Sequence, residues 1–372
     1  MQTTFAHKLN NFVSQKQFGD WEWQMKNRIK DAESLSRIIP LSENEQRNIS
    51  TCLNSFRMAI TPYYASLMDI NDENCPIRRQ AIPSASEMCV MPYEMADPLN
   101  EEGDSPVNHI VHRYPNRVLF LVTLQCSMYC RHCTRKRVVG EEDKIISEIE
   151  IANAVAYIRN NPQIEDVLIS GGDPLTLGDK KLEYIISKIR SIPHVKIIRI
   201  GTRVPVVLPM RITPKLLTML KKYSPIYINT HFNHPKEITP ESSAACLSIV
   251  NAGIPMGNQN VLLKGINDDI NILRELYMKL AAIKVRPYYM YQCDLTQGLS
   301  HFRVDVRRGM ELMEQLTGYI SGYAVPKYVI DAPGGGGKIP VNSHYIKAFD
   351  GSQVVLRNYK GDIYTYPDNL DL

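Results

Sequence analysis

Three cysteines fall close together in Cys126-Ser-Met-Tyr-Cys130-Arg-His-Cys133. Thiolates that dense can converge on one metal centre. A four-iron cluster takes four thiolates when protein ligates every iron. Three leave one iron open to a small chelating ligand, and the amino and carboxylate groups of S-adenosylmethionine fit that position. An electron from the cluster then cleaves the carbon–sulfur bond and gives a 5'-deoxyadenosyl radical. Zinc is the competing occupant, but zinc sites favour Cys-x2-Cys pairs with a further ligand from elsewhere. His132 is the candidate for that ligand, and its flanking cysteines make simultaneous coordination awkward. The bland alternative is three unrelated buried thiols. Cys52, Cys75, Cys89, Cys246 and Cys293 are isolated, and core packing is expected of them.

The elements that must position this cluster follow a regular beat. Apolar, β-rich runs fall at Val118–Leu124, Asp166–Ser170, Lys196–Gly201, Ile226–Thr230, Gly257–Leu262 and Pro287–Gln292. Between them, Ile146–Arg159, Lys180–Ser191, Pro214–Lys222, Glu241–Ala252 and Ile270–Ile283 carry helical spacing. Alternation at roughly 30 residues per unit predicts an α/β fold with a parallel sheet and helices outside it. Periodicity does not decide between an open sheet and a partial barrel. In either form the chemistry belongs at the C-terminal strand ends, where the cysteine loop sits. Residues 1–105 read as an N-terminal helical region, with a possible N-cap at Asp20 before Trp21. Residues 106–300 read as the barrel core, and 301–372 as a C-terminal segment with a glycine run and short β-like pieces at Gln353–Arg357 and Asp362–Thr365.

Composition bounds the rest. The chain has 372 residues, 44% hydrophobic and 22% charged, with a net charge of +4. That excludes disorder and gives no support for nucleic-acid binding. The start, MQTTFAHKLNNFVSQK, has no apolar signal core. No apolar run approaches the ~20 residues of a membrane helix. A cytoplasmic protein without nucleic-acid or membrane partners is expected.

Longer stretches are more specific. Cys126-Ser-Met-Tyr-Cys130-Arg-His-Cys133-Thr-Arg135-Lys-Arg137, Leu168-Ile-Ser-Gly-Gly-Asp-Pro-Leu175 and Asp331-Ala-Pro-Gly-Gly-Gly-Gly-Lys338 closely resemble the lysine 2,3-aminomutase family. So do Ile60-Thr-Pro-Tyr-Tyr64 and Tyr288-Tyr-Met-Tyr-Gln-Cys-Asp294, and the resemblance spans about Trp21 to Tyr366. It implies a partial (β/α)6 radical S-adenosylmethionine (SAM) barrel, a [4Fe-4S] cluster on Cys126, Cys130 and Cys133, reversible use of SAM, and pyridoxal 5'-phosphate as second cofactor.

The family pattern assigns roles residue by residue. Lys338 matches the pyridoxal anchor; alone, a lysine after four glycines reads as readily as a mobile surface loop. Arg113 and Arg117 match phosphate contacts, as guanidinium forks suit phosphate oxygens, and Tyr114 matches a neighbour of the pyridine ring. Ser170, Gly171, Gly172 and Asp173 match the stretch that meets the methionine amino group, although a tight βα turn explains the glycines equally well. His231 and Gln259 match residues around SAM, and His132 is expected near the adenine.

For the substrate, Arg135 matches the carboxylate-binding arginine. Asp294 and Asp331 would read its far end, with Tyr291 beside them. Two carboxylates in one pocket need a cation between them, which points to lysine. Arginine is the alternative, since a guanidinium also bridges two acids. The glutamate-specific relatives differ at the acid positions. The implied reaction moves the α-amino group of L-lysine to C3, giving β-lysine, and needs a one-electron reductant such as flavodoxin or ferredoxin. A homo-oligomer is expected.

The sequence departs from the clostridial-type pattern at Asp269, where those relatives carry a zinc-binding cysteine, and no cysteine follows Cys293. Their zinc site is expected to be absent. Two competing readings are a relative that modifies a lysine side chain of a translation factor and a non-catalytic iron–sulfur or zinc module.

Overall fold

Buried parallel strands read as apolar runs because helices cover both the runs and their neighbours. The computed structural model, which describes residues 14–139, 143–350 and 353–368, has such strands at all six expected places. In chain order the strands are β1 (Ile110–Tyr114), β2 (Arg117–Thr123), β3 (Asp166–Gly171), β4 (Ile197–Gly201), β5 (Ile226–Thr230), β6 (Met256–Leu262), β7 (Arg286–Gln292), β8 (Lys327–Ala332) and β9 (Gly337–Pro340). They form one sheet in that order. Strands β2 to β8 pair in parallel, while β1 and β9 are antiparallel additions at the two edges.

Helices α1 (Glu148–Asn160), α2 (Asp179–Arg190), α3 (Pro214–Lys221), α4 (Pro240–Asn251), α5 (Ile270–Ala282) and α6 (Val306–Leu316) each follow one of the strands β2 to β7. The expected partial (β/α)6 barrel is therefore the architecture, with β8 as a further parallel strand. Each helix buries one stripe, as α2 does with Leu182, Ile185, Ile186 and Ile189. Caps fix where helices start. Ser147 and Glu150 make a reciprocal box at α1, and the Asp269 carboxylate accepts from the backbone of Asn271 and Ile272 at α5. The acid at the relatives' cysteine position thus serves as a helix cap.

The sheet curls until its two edges meet. The Lys338 backbone N–H on β9 donates to the Tyr114 hydroxyl on β1 at 2.9 Å. In the N-terminal region, Asp20 caps the helix Trp21–Lys26 as expected. The helix Pro62–Ser66 ties to the barrel through Thr61, whose hydroxyl donates to the Val207 carbonyl at 2.6 Å. Strands β10 (Ile346–Asp350), β11 (Gln353–Arg357) and β12 (Ile363–Pro367) make a separate antiparallel sheet. Of the isolated cysteines, Cys52, Cys75, Cys246 and Cys293 are buried, but Cys89 is exposed and packs in no core. Among the described residues no helix is long and apolar enough to cross a membrane.

The end of β3 supports the cysteine loop directly. Asp173 N donates to the Gln125 carbonyl at 2.8 Å, and a Cβ on Gly172 would lie 2.3 Å from that same oxygen. Gly172 lets this backbone touch the chain leaving β2. Gly172→Ala is expected to cost about 2–3 kcal/mol through that overlap. Gly322→Ala, where a Cβ meets nothing within 4 Å, should stay within about 0.5 kcal/mol. Equilibrium urea unfolding of both variants checks the contrast.

Candidate active site

The cysteine loop leaves β2 and is pinned from outside. Arg28 donates to the Cys126 carbonyl, Tyr129 N to the Ala59 carbonyl at 3.0 Å, and Arg131 N to the Gln80 carbonyl at 2.9 Å. Arg131 and Lys136 both grip buried Glu87, at 2.6 and 2.9 Å. Burial pushes the Cys126 thiol well up, with the charges of Asp173, Cys133 and Cys130 adding to it. Burial, with help from Cys130, pushes Cys133 up to about 11. Charge on the neighbouring sulfurs thus opposes ionisation of Cys126 and Cys133, which is the electrostatic setting that a bound cation reverses. Among the described residues no three His, Cys, Asp or Glu side chains stand preassembled as a metal-ligand group. The fit to a cluster rests on the sulfur chemistry and on the rigid loop.

Two histidines lie beside the loop. The rings of His132 and His231 are 6.3 Å apart and nearly perpendicular. Burial keeps both neutral, His231 lowered to about 3 and His132 well below its usual range, with the Arg203 charge adding to each shift. His132 Nδ1, His231 Nε2 and the neighbouring Thr230 hydroxyl are buried without a hydrogen-bond partner. Uncommitted polar atoms of this kind suit a polar ligand such as a nucleoside. Asp173 is differently engaged. Its carboxylate accepts from Thr202 Oγ1 at 2.6 Å, Arg203 N at 2.7 Å and Leu175 N at 3.1 Å. It clasps the loops after β3 and β4, and burial still raises its pKa. Ser170 and Gly171 complete β3 beneath it.

Strands β7 to β9 bring the remaining residues together. The Lys338 ammonium lies 3.0 and 3.1 Å from the two Asp331 oxygens and 5.2 Å from the centre of the Tyr291 ring. The antiparallel register pairs Asp331 with Lys338 directly. Tyr291 donates to Gln259 at 3.4 Å, linking this end to the residue expected near SAM. Asp294, after β7, accepts from Thr134 Oγ1 at 2.8 Å. Burial raises its pKa to about 6, the Asp331 charge adds to the rise, and Lys338 and the Thr134 bond oppose it. Two carboxylates and one ammonium therefore share a single electrostatic neighbourhood.

The arginines divide. The Arg117 guanidinium carbon lies over the Tyr114 ring, 3.8 Å from its centre, and Arg117 has no ion-pair partner among the described residues. Arg113 instead donates to Asp104 at 2.7 Å and to the Leu99 carbonyl, so the two do not face a common anion here. Arg135 is held by Glu101 through Nε and Nη2, at 2.6–3.0 Å. Burial disfavours its charge, yet Glu101 outweighs that and raises its pKa, with Cys133 and Cys126 contributing. Arg135 is thus within electrostatic reach of the sulfurs.

Sequence reasoning did not find Glu101, Asp104, Thr134, Arg203 or Glu237. The acids lie in ordinary-looking polar text. Arg203 could have been flagged, because it follows β4 just as His231 follows β5.

The "Radical SAM superfamily" model matches residues 120–276, and the "Lysine-2,3-aminomutase" model matches 313–371. The L-lysine 2,3-aminomutase of Clostridium subterminale is 54% identical over 365 residues, covering 98% of this chain and 88% of that protein. The chain belongs to the lysine 2,3-aminomutase family. Within it, the L-lysine 2,3-aminomutase of Bacillus subtilis is 50% identical, covering 96% of this chain and 76% of the relative. The glutamate 2,3-aminomutase of Clostridioides difficile is 45% identical, covering 95% of this chain and 84% of that one. Membership of the radical SAM superfamily brings S-adenosylmethionine and an iron–sulfur cluster with it.

A carbon-13 NMR titration of the Asp294 carboxyl is expected to give a midpoint near 6. Asp331→Asn removes the repelling charge and should move that midpoint down. An unchanged midpoint contradicts the shared neighbourhood of the two acids.

Proposed function

We propose that this chain is a lysine 2,3-aminomutase that converts L-lysine to β-lysine, with a [4Fe-4S] cluster, SAM and pyridoxal 5'-phosphate. The observation that carries the reading is the Asp331–Lys338 pair beside Asp294. A primary ammonium on four methylenes already pairs with Asp331 and lies within electrostatic reach of Asp294. Lys338 would hold the pyridoxal group through this nitrogen, drawing it off Asp331, and Asp294 and Asp331 would then receive a substrate ammonium of the same kind. Relatives named as L-lysine enzymes at 50–54% identity, against 45% for a glutamate enzyme, favour the same substrate.

When bound, the cluster and SAM would supply hydrogen-abstraction chemistry for C3 of the substrate, and pyridoxal phosphate would supply a carbonyl partner for the migrating amino group. The chain's residues do the rest. Cys126, Cys130 and Cys133 hold the cluster. The free nitrogens of His132 and His231, with Gln259, face SAM, and the stretch from Ser170 to Asp173 supports its amino-acid end. Tyr114 would neighbour the pyridine ring, and Arg117, unpaired by any acid among the described residues, would take the phosphate. Arg113 joins it by leaving Asp104. Glu101 occupies the Nε/Nη2 edge of Arg135, so the Nη1 end is the one offered to the substrate carboxylate. Tyr291 screens the acid pair from water. Holding the substrate at both charged ends fixes C3 for hydrogen transfer and contributes through orientation.

We also infer a cytoplasmic enzyme served by a flavodoxin or ferredoxin, and a homo-oligomer. The exposed Phe349, Ile363, Tyr364 and Tyr366 on the small C-terminal sheet support self-association.

Anaerobic reconstitution followed by product analysis tests the function. Lysine should give β-lysine at a rate at least tenfold above that for arginine; a preference for arginine overturns the substrate. Lys338→Ala should keep iron but lose the pyridoxal absorbance and turnover, and full activity in that variant refutes the anchor. Below pH 6 protonation of Asp294 removes half of the acid pair's charge, so KM for lysine should rise as pH falls, and Asp294→Asn should flatten that limb.

A further inference from the structure

We propose that Arg203 is a positioning residue of the iron–sulfur centre, whose guanidinium donates to the Cys130 sulfur and raises the reduction potential of the cluster. This rests on the cluster reading above. Arg203 follows the C-terminal end of β4, and its side chain is 7% exposed. Nη1 lies 2.8 Å from Cys130 Sγ. Among the described residues Cys130 is the one member of the trio that receives a side-chain hydrogen bond.

The guanidinium cannot swing away. Nε donates to the His231 carbonyl at 3.1 Å, and Nη2 donates to Gln80 at 2.6 Å and to Glu237 at 2.7 Å. Its backbone N–H is held by Asp173. Glu237 is itself fully buried and fixed by Tyr64 OH at 2.7 Å, Asn233 N at 2.6 Å and His234 N at 2.9 Å. The side chain thus joins the cysteine loop, the loop after β5 and the N-terminal region, and the backbone N–H adds the loop after β3.

The chemistry has a definite sign. Reduction adds one electron to the cluster, and no bond at Arg203 forms or breaks. A cation and an N–H directed at a thiolate sulfur stabilise the more negative, reduced state, so they raise the potential. Glu237 lies behind the guanidinium and moderates the effect.

The test uses wild type, Arg203→Lys, Arg203→Gln and Glu237→Gln, reconstituted anaerobically without SAM. EPR-monitored redox titration is run alongside iron analysis. At a fixed poise, Arg203→Gln should lower the ratio of reduced to oxidised cluster at least tenfold, about 59 mV for one electron. Arg203→Lys keeps the charge and should fall between it and wild type. Glu237→Gln should raise the ratio. A purely structural role would lower iron content and leave the midpoint of the remaining clusters unchanged. A ratio within twofold of wild type in iron-loaded Arg203→Gln overturns the proposal. If that variant holds no iron, an unchanged midpoint in Glu237→Gln overturns it. A wild type with no reducible cluster defeats the cluster reading itself, whereas indifferent variants around a normal cluster defeat only the role of Arg203.

Discussion

Charge that leaves water must be matched where it stands. The mouth of this barrel collects Arg131, Lys136, Arg135, Arg203 and Lys338 on one rim, and each has an acid against it: Glu87, Glu101, Glu237 or Asp331. Removing one partner of a buried pair leaves an uncompensated charge and costs about 3–5 kcal/mol. The acids come from the N-terminal region, the loop after β5 and β8. This matching therefore binds the periphery to the sheet. It also sets the chemistry, because an ion pair that orients a cation leaves its remaining donors aimed in a fixed direction.

The second constraint is topological. Parallel strands deliver their following loops to one end, so the residues after β2, β3, β4, β5 and β7 meet without any local sequence proximity. Curling brings β1 and β9 together, and with them Tyr114 and Lys338. The cysteine loop and the lysine hairpin are thereby placed around one opening although more than half the chain separates them.

Much of this was legible. The six core strands are short β-rich runs at near-regular spacing, broken by polar residues such as Asn258-Gln259-Asn260 in β6, and each helix shows a buried stripe of helical period, so the parallel core could be read from pattern and spacing together. Strands β1, β8 and β9 escaped. His112 and Arg113 interrupt the apolar pattern of β1, Asp331 interrupts that of β8, and β9 is four residues with a glycine and a proline. The two edge strands, β1 and β9, lack the two-sided burial that makes an interior strand conspicuous. The cysteines, Lys338 and the paired aspartates were legible by spacing and resemblance. The acids Glu101 and Glu237 were not, because a counter-ion is defined by a meeting in space. Asp173 was read as a ligand contact, yet it also fastens two loops through three hydrogen bonds.

The β8–β9 pairing has an arithmetic of its own. Side chains alternate faces along a strand, and Asp331 meets Lys338 only because the two are direct cross-strand partners. A slip by a single position would turn the amine to the other side of the ribbon. The stretch from Pro333 to Gly336 is thus a ruler as much as a turn. Its length must be kept in step with the pleat, and an inserted residue there would turn the amine away from the site while every residue of the site remained in the sequence.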